Sequence, residues 1–423
     1  MRLAGGGLLR QTGSRWDVST CDIRTGSHWG SPLVQRIAVL NYLDWELSPE
    51  QRMIQGVVRE FVEHEALPVV PDCFEQGEFP RQLIPRLGEL GVLGPTLPQY
   101  GSGLDYTSYG LICQELERGD SGLRSFVSVQ GSLVMFPISA YGSDEQKARY
   151  LPGMHAGQLI GCFGLTEHEH GSDPGGMETR AVRDGDAYVL NGAKMWITNG
   201  NLADVALVWA KVAEDGQDVV RGFLVETDAR GFKANEIKRK LSLRASVTSE
   251  LVLQDVRVSS ACLLPGVQGL RGPLSALNEA RFGIIFGAVG AAMACYEAAL
   301  EYAGVRKQFG RPIAAFQLTQ NKLVDALQGI TQAQLLAYQL GRLKDAGRLR
   351  PAQVSLGKRA NVAMALEVAR SMRSVLGANG ISLEHPVFRH MVNLESVFTY
   401  EGTHEIHTLV VGNDITGLSA YTG

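Results

Sequence analysis

A carboxylate near the C-terminus, Glu401, stands between a bulky aromatic residue and a glycine in the segment TYEGTHE. Glycine lets the atoms of another molecule come close to the backbone, so Gly402 predicts that a ligand approaches beside this acid. A surface acid near the end of a helix is the alternative interpretation. The segment therefore indicates a carboxylate that meets a ligand, and the rest of the chain has to say which ligand that is.

A second group of reactive side chains lies in the segment LERGDSGLRSFVS. Arg124 and Ser128 are four residues apart and share one face of a helix. Glu117 would share that face if the helix ran through, but the glycines at 119 and 122 favour a break. A surface arginine at a helix start is the alternative reading. If it is buried, this arginine predicts an anionic partner, because an uncompensated buried charge is costly.

Several chemical devices are absent from the sequence. It has no Gly-x-Gly-x-x-Gly after a strand, no Walker A loop and no Gly-x-Ser-x-Gly elbow. EHEHG and THEIH resemble metal motifs, but neither has the His-Glu-x-x-His spacing that places two imidazoles one helical turn apart. The six cysteines form no Cys-x-x-Cys pair. We therefore predict no metal site and a reducing compartment.

Composition sets further limits. The chain has 423 residues, of which 45% are hydrophobic and 20% charged, as is ordinary for a globular enzyme. A net charge of −4 argues against a nucleic-acid binder with a large basic surface. The longest apolar run, 282–296, is short for a bilayer span and predicts a buried helix, not a membrane segment. The arginine-rich first 40 residues are typical of a disordered tail or a mitochondrial transit peptide, or they reflect a start codon assigned too far upstream.

The elements that position these groups follow the order helices, strands, helices. Ser48, Pro49 and Gln51 predict a capping box before a helical apolar stripe. Beyond residue 160, Asp-Gly and Asn-Gly pairs at 184–185, 191–192 and 215–216 predict turns between short strands. The segment SELVLQDVRVS predicts another strand, and helical texture returns from about residue 272. The fold class is therefore α+β.

Six segments occur in the order typical of acyl-CoA dehydrogenases: GCFGLTEHEHGSDPGGMETRA, KMWITNG, KLSLRAS, RKQFGRPIAAFQ, LGANGIS and TYEGTHEIH. The chain resembles that family over about residues 43–423, and most of all its glutaryl-CoA branch. The resemblance implies an N-terminal helical domain, a central antiparallel β-barrel and a C-terminal four-helix bundle. We place them at 43–160, 161–271 and 272–423, after a leader or tail at 1–42.

The family resemblance also assigns roles. Glu401 occupies the position of the catalytic base, and its basicity would rise as bound substrate excludes water. The substrate contacts that it implies are Glu117, Arg124, Ser125, Ser128, Ser172, Asn278, Arg281, Tyr400 and Gly402, with Arg281 on the CoA portion. The FAD contacts that it implies are Phe163, Leu165, Thr166, Gly171, Ser172, Trp196, Ile197, Thr198, Arg306, Gln317, Gly377, Thr403, His404 and Glu405. The unusual His168, Glu169 and His170 put the shape of the flavin loop in question.

The activity implied is oxidation of glutaryl-CoA to crotonyl-CoA and CO2, with electrons passing to an electron-transferring flavoprotein. The family usually assembles as homotetramers, and we expect no nucleic acid or membrane partner. A bacterial chain would be cytoplasmic; the mitochondrial matrix is the alternative. One rival is a short-chain saturated acyl-CoA dehydrogenase, for which Arg124 would be incidental. Others are a DNA-binding flavoprotein of this fold and a catalytically silent binding subunit.

Overall fold

A computed structural model describes residues 46–420 of the chain. The leader predicted at 1–42 lies outside these residues. The first described helix begins as expected, because Gln51 N–H donates to Ser48 Oγ at 3.2 Å while Ser48 N–H donates to Gln51 Oε1 at 3.0 Å. This reciprocal capping satisfies two backbone donors at the helix start. The N-terminal helices are α1 Pro49–Phe61, α2 Val70–Gln76, α3 Ile84–Glu89, α4 Tyr106–Gly119, α5 Ser121–Ser128, α6 Phe136–Tyr141 and α7 Asp144–His155.

The predicted break between Glu117 and Arg124 is present. Helix α4 ends at Gly119, and Asp120 takes an extended conformation and caps α5 by accepting from Gly122 N–H at 2.6 Å. A short π-helical segment, Val129–Met135, joins α5 to α6. The chain here is buried along its whole length, from Leu123 to Met135. Side chains of α5 therefore face the interior of the protein.

The middle of the chain forms a curled seven-stranded sheet, in the order β1-β4-β2-β3-β7-β6 with β5 paired to β4. The strands are β1 Gly161–Gly164, β2 Arg180–Asp184, β3 Ala187–Thr198, β4 Val205–Glu214, β5 Gln217–Glu226, β6 Phe232–Glu236 and β7 Thr248–Ser259. The expected strand content is confirmed, but the sheet is not wholly antiparallel, because β4 runs parallel to both β1 and β2.

Two of the three predicted turns are correct. Gly185 and Gly216 take positive φ angles in the turns of the β2–β3 and β4–β5 hairpins. The turn predicted at 191–192 is wrong. Gly192 lies inside β3, at a bulge where the pairing with β7 shifts register. A Cβ there would lie 2.4 Å from Thr179 Oγ1, so a close neighbour and not a turn accounts for this glycine.

The C-terminal part is helical and joins the N-terminal helices around one long helix, α8 Arg271–Val305. Among residues 46–420, α8 alone has the length and apolar composition that could cross a membrane, but most of its apolar stretch is buried within the protein. Core helices pass the same test. The remaining elements are β8 Lys307–Gln308, β9 Arg311–Pro312, α9 Gln317–Asp345, α10 Pro351–Val375, α11 Pro386–Thr399 and α12 His404–Thr416.

Candidate active site

The predicted base lies in a tight turn between α11 and α12. Glu401 and Gly402 both take left-handed backbone conformations, with φ angles of 53° and 94°. Thr403 caps the following helix, since its hydroxyl accepts from Ile406 N–H at 3.2 Å. A left-handed glutamate is uncommon, and such conformations cost on the order of 1–3 kcal/mol unless the surroundings hold them. The surrounding residues must therefore hold this turn, and the turn sets the direction of the Glu401 side chain.

The Glu401 carboxylate is held in an environment that favours its neutral form. Burial raises its pKa, while the nearby cations Arg124, Lys358 and Arg281 act in the opposite direction. Its Oε2 atom is buried and has no hydrogen-bond partner among the described residues. A buried polar atom without a partner is unusual and indicates a place for a ligand. A carboxylate of raised pKa with a free oxygen can accept a proton from a bound molecule.

Arg281, which the resemblance assigns to the CoA portion, lies beside the turn of Glu401. Its Nε donates to the Glu401 carbonyl at 2.7 Å, and Nη1 donates to Asn278 Oδ1 at 3.2 Å. Gly402 makes this approach possible, because a Cβ there would lie 3.3 Å from Arg281 Nη2 and 3.0 Å from His407 Nε2. The guanidinium thus supports the turn of the base. Its predicted contact with CoA remains a prediction.

Several residues predicted to contact the substrate come together around Arg124, which is fully buried, so the surface reading is wrong. Its Nε donates to Glu117 Oε2 at 2.6 Å across the break between α4 and α5. Its Nη2 donates to the Tyr400 hydroxyl, which also lies 3.4 Å from Ser125 Oγ. Arg124 is therefore compensated within the protein. The predicted anionic partner is present, and it is Glu117 of the protein itself.

Three polar atoms of this group are nevertheless still able to form a hydrogen bond. Arg124 Nη1, Glu117 Oε1 and Ser128 Oγ are buried without a hydrogen-bond partner among the described residues. Burial would lower the pKa of Arg124, but Glu117, Tyr400 and Glu401 together raise it well above the ordinary value. The guanidinium stays charged and keeps a free N–H pair. Such donors are of the kind that hydrogen-bond a carboxylate.

Helix α8 leaves room for this ion pair at Gly287. A Cβ at this position would lie 2.0 Å from Glu117 Oε2 and 3.3 Å from Arg124 Nε. We predict that Gly287→Ala displaces the Glu117 carboxylate and lowers the melting temperature, because overpacking in a core costs about 1–3 kcal/mol. Differential scanning calorimetry of the holoenzyme measures the change.

The matched control is Gly412→Ala in α12, where a Cβ would meet no atom within 4 Å. An alanine inside a helix is favoured over glycine, so this variant should melt at the wild-type temperature or above. A wild-type melting temperature for Gly287→Ala would show that the ion pair tolerates the extra carbon.

The predicted flavin residues form an exposed aromatic site on the sheet. Trp196 has a φ angle of 63° at a second bulge in β3, and its side chain is 59% exposed. Met195 N–H donates to the Thr166 carbonyl at 2.8 Å, which brings the loop after β1 beside this bulge. Thr198 follows two residues later in the same strand. A large exposed aromatic between threonines fits the flat ring and polar edge of a flavin.

Other predicted cofactor contacts divide by exposure. Phe163, Leu165 and Ile197 are buried in the core, so only their backbone atoms could reach a cofactor. The exposed group comprises Gly171, Ser172, Arg306, Gln317, Gly377 and Glu405. Thr403 caps α12, and the His404 ring stacks on Phe398 with ring centroids 4.4 Å apart. Their contacts with FAD remain predictions.

An ion pair that the sequence did not predict lies beneath the loop that follows β1. Lys194 Nζ donates to Glu167 Oε1 at 2.7 Å and to the Leu165 carbonyl at 3.2 Å. Burial opposes ionisation of Glu167, but the backbone N–H of Glu178 and the ammonium of Lys194 lower its pKa to about 2. The loop is further closed by Glu167 N–H donating to the His170 carbonyl at 3.1 Å. Among residues 46–420, no group of three or more potential ligands could hold a metal ion.

A cluster of buried polar residues that the sequence did not predict connects the helix of Arg124 to the helix that precedes Glu401. Asp120 Oδ2 accepts from Arg389 Nη1 and from Asn393 Nδ2, the latter at 2.9 Å. Asn393 Oδ1 in turn accepts from Leu243 N–H at 2.8 Å. All three polar residues are buried. The cluster joins the start of α5, which carries Arg124, to α11, which leads into the turn of Glu401; nothing local in the sequence signals it.

Three family models match consecutive stretches of the chain. They describe the N-terminal domain of acyl-CoA dehydrogenase at residues 48–158, the middle domain at 162–256 and the C-terminal domain at 267–416. A curated relative, the mitochondrial short-chain specific acyl-CoA dehydrogenase of Bos taurus, is 32% identical over 400 residues and covers 93% of this chain and 96% of its own.

Solved structures with high similarity include glutaryl-CoA dehydrogenase from Mycobacterium smegmatis. One crystal structure is 57% identical, with a TM-score of 0.88, and covers 90% of this chain and 98% of its own. Another, in complex with FADH2, is 54% identical with the same TM-score and the same coverage. The predicted order of helices, curled sheet and helices is that of these proteins.

Proposed function

Because the chain belongs to the acyl-CoA dehydrogenase family, we propose that it uses FAD to oxidise glutaryl-CoA and release crotonyl-CoA and CO2. The observation that carries this proposal is Arg124. It is fully buried in contact with Tyr400, the neighbour of the base, and its Nη1 has no hydrogen-bond partner among residues 46–420. A buried guanidinium with spare donors suits a carboxylate at the far end of an acyl group. Similarity to two glutaryl-CoA dehydrogenase structures supports the same substrate.

In the first step, Glu401 removes a proton from the carbon next to the thioester. The α-proton of a thioester is weakly acidic, so the base has to be well placed and poorly solvated. The left-handed turn directs Glu401, and burial raises its pKa. Bound FAD supplies the acceptor for the hydride that leaves the adjacent carbon. Thr166, Trp196 and Thr198 would hold its ring, as the exposed indole supports.

In the second step, the terminal carboxylate leaves as CO2. Its bond electrons pass through the new double bond toward the thioester carbonyl, and the far carbon of the resulting dienolate takes up a proton. Glu401, which accepted the first proton, is the group that returns it. Arg124 and Tyr400 hold the carboxylate before it departs, and their hydrogen bond keeps that end of the site in place.

Reduced flavin has to be reoxidised for turnover, and we propose an electron-transferring flavoprotein as the acceptor. We also propose a homotetramer, located in the cytoplasm if the chain is bacterial and in the mitochondrial matrix as the alternative. The hairpin that follows Arg306 supports association, because Phe309 at its tip is 93% exposed and Leu318 just beyond it is 82% exposed. Apolar side chains so exposed are typical of interaction sites.

A second candidate substrate is a short-chain saturated acyl-CoA. The pairing of Arg124 with Glu117 favours it, since the guanidinium is balanced without a substrate anion. The 32% identity to a short-chain specific enzyme supports it as well. In this case the unpartnered Nη1 of Arg124 would have no ligand to bind.

Product analysis tests the proposal. We expect the purified enzyme, with an artificial electron acceptor, to form crotonyl-CoA and CO2 in equal amounts from glutaryl-CoA. Mass spectrometry quantifies the CoA esters while trapped CO2 is counted alongside, with butyryl-CoA as the comparison substrate. Accumulation of glutaconyl-CoA would refute decarboxylation, and turnover of butyryl-CoA alone would favour the second candidate.

A further inference from the structure

The turn that carries Glu401 is held by two cations through its backbone. Lys358 of α10 donates from Nζ to the carbonyls of Tyr400 and Gly402, the latter at 2.6 Å. Arg281 of α8 donates to the Glu401 carbonyl between them at 2.7 Å. Three successive carbonyls therefore accept hydrogen bonds from cationic side chains. Among residues 46–420, no backbone N–H donates to these three carbonyls, so the two side chains take over that role.

Lys358 is an unusual residue for this task. Its side chain is only 2% exposed, and the acceptors of its hydrogen bonds are backbone carbonyls, with Glu401 as the carboxylate that acts on it through charge. Buried lysines are rare unless paired, because removing an ammonium from water is costly. Two carbonyl contacts and the ring of Tyr400, whose centroid lies 5.7 Å from Nζ, are what the protein provides instead.

We propose that Lys358 is a positioning residue for the general base: it holds the left-handed turn of Glu401, and its charge favours the ionised carboxylate. The inference rests on the proposed role of Glu401 as base. It does not depend on which acyl-CoA is the substrate, because every substrate of this chemistry has to lose a proton to that base.

The charged surroundings determine when this support is present. Arg281 from α8, Arg124 from α5 and His404 and His407 from α12 lie near the lysine, together with Tyr400 and Glu401 of the turn itself. Burial lowers the pKa of His407 to about 3, so its ring is neutral at physiological pH. The two guanidiniums remain charged.

Burial also lowers the pKa of Lys358 to about 7, an effect that Glu401 opposes and the guanidiniums reinforce. Below this pH the ammonium is present and favours the ionised form of the Glu401 carboxylate. Above it the neutral amine still has two N–H bonds for two carbonyls. Lys358 therefore extends the working range of the base toward acidic pH while holding the turn throughout.

Three substitutions separate the charge from the hydrogen bonds. Lys358→Arg keeps the charge, Lys358→Gln keeps two N–H bonds without the charge, and Lys358→Met removes both. The measurement is the rate of flavin bleaching under anaerobic stopped flow as a function of pH, with glutaryl-CoA and with butyryl-CoA at saturating concentration. Lys240→Met is the matched control, since Lys240 also donates to two loop carbonyls, those of Leu243 and Ser246.

In wild type, the rate should fall as pH drops and Glu401 becomes protonated. We expect the apparent pKa of this acid limb to be higher by roughly one pH unit in Lys358→Gln and Lys358→Met. An effect of this size is typical of a neighbouring charge. Lys358→Met should in addition bleach about tenfold more slowly on the high-pH plateau, because the base is no longer held in place. Lys358→Arg and Lys240→Met should keep the wild-type limb.

A wild-type limb and plateau in both uncharged variants would overturn the proposal. So would an equal shift in Lys358→Arg, which would indicate disturbed packing and not lost charge. If Lys358→Met fails to retain FAD, the comparison of the Gln and Arg variants decides. Failure of the underlying function is distinguishable, since neither acyl-CoA would then bleach the flavin of the wild-type enzyme.

Discussion

Replacing Glu401 with glutamine should leave FAD and substrate bound while abolishing dehydrogenation. The amide has nearly the shape of the carboxylate but cannot accept the α-proton. We expect flavin bleaching by substrate to slow by about 10³-fold or more, within the range that general-base catalysis contributes. Rapid mixing of the oxidised enzyme with glutaryl-CoA under anaerobic conditions measures this rate from the loss of flavin absorbance.

The comparison variant is Glu395→Gln in α11, the helix that leads into the turn of Glu401. Its side chain is half exposed and pairs with Arg370 at the surface. Exposed ion pairs contribute about 0–1 kcal/mol, so this variant should bleach at the wild-type rate. Both variants should purify yellow with about one FAD per chain. Fast bleaching of Glu401→Gln with FAD in place would show that another group is the base.

Removing Arg124 should discriminate between a substrate with a terminal carboxylate and one with a terminal methyl group. We expect Arg124→Ala to lower kcat/KM for glutaryl-CoA by roughly 30-fold or more, because losing one partner of a desolvated charge pair costs on the order of 2–5 kcal/mol. The kcat/KM for butyryl-CoA should stay level or rise. Steady-state kinetics with both substrates give the two ratios.

The effect of the lost guanidinium has to be separated from that of the Glu117 carboxylate it leaves unpaired. Arg124→Ala alone leaves the fully buried Glu117 carboxylate without its partner, which destabilises a protein by about 3–5 kcal/mol. The ratio should therefore be measured for Glu117→Gln and for the double variant Glu117→Gln/Arg124→Ala. The loss for glutaryl-CoA on going from the first to the second reports the guanidinium alone.

Arg118→Ala serves as the control for a lost arginine in the same helix pair. Arg118 is mostly buried, but it pairs with Glu63 and Glu297 and not with Glu117. It should lower stability without changing the preference between the two substrates. If Arg124→Ala weakens both substrates equally in the Glu117→Gln background, the carboxylate of the substrate does not bind at this arginine.

The features that the sequence predicted correctly are those encoded within a few residues. The capping box at Ser48, the glycine turns after Asp184 and Asp215, and the break after Gly119 each depend on neighbours in the chain. Motif order was equally readable, because it needs no knowledge of contacts. It identified the family and, with it, the fold class and the candidate base.

What the tertiary structure decided are pairings between residues far apart in the chain. Arg124 and Tyr400 are separated by 276 positions and Lys358 and Tyr400 by 42, so no local pattern links them. The same reason explains the wrong turn at Gly192, where the partner strand β7 and the contact with Thr179 impose a bulge. Local backbone preferences set where elements begin and end, whereas burial and charge compensation arise only when those elements pack. In this protein, the sequence determines the residue types of the site, and packing brings those residues into contact.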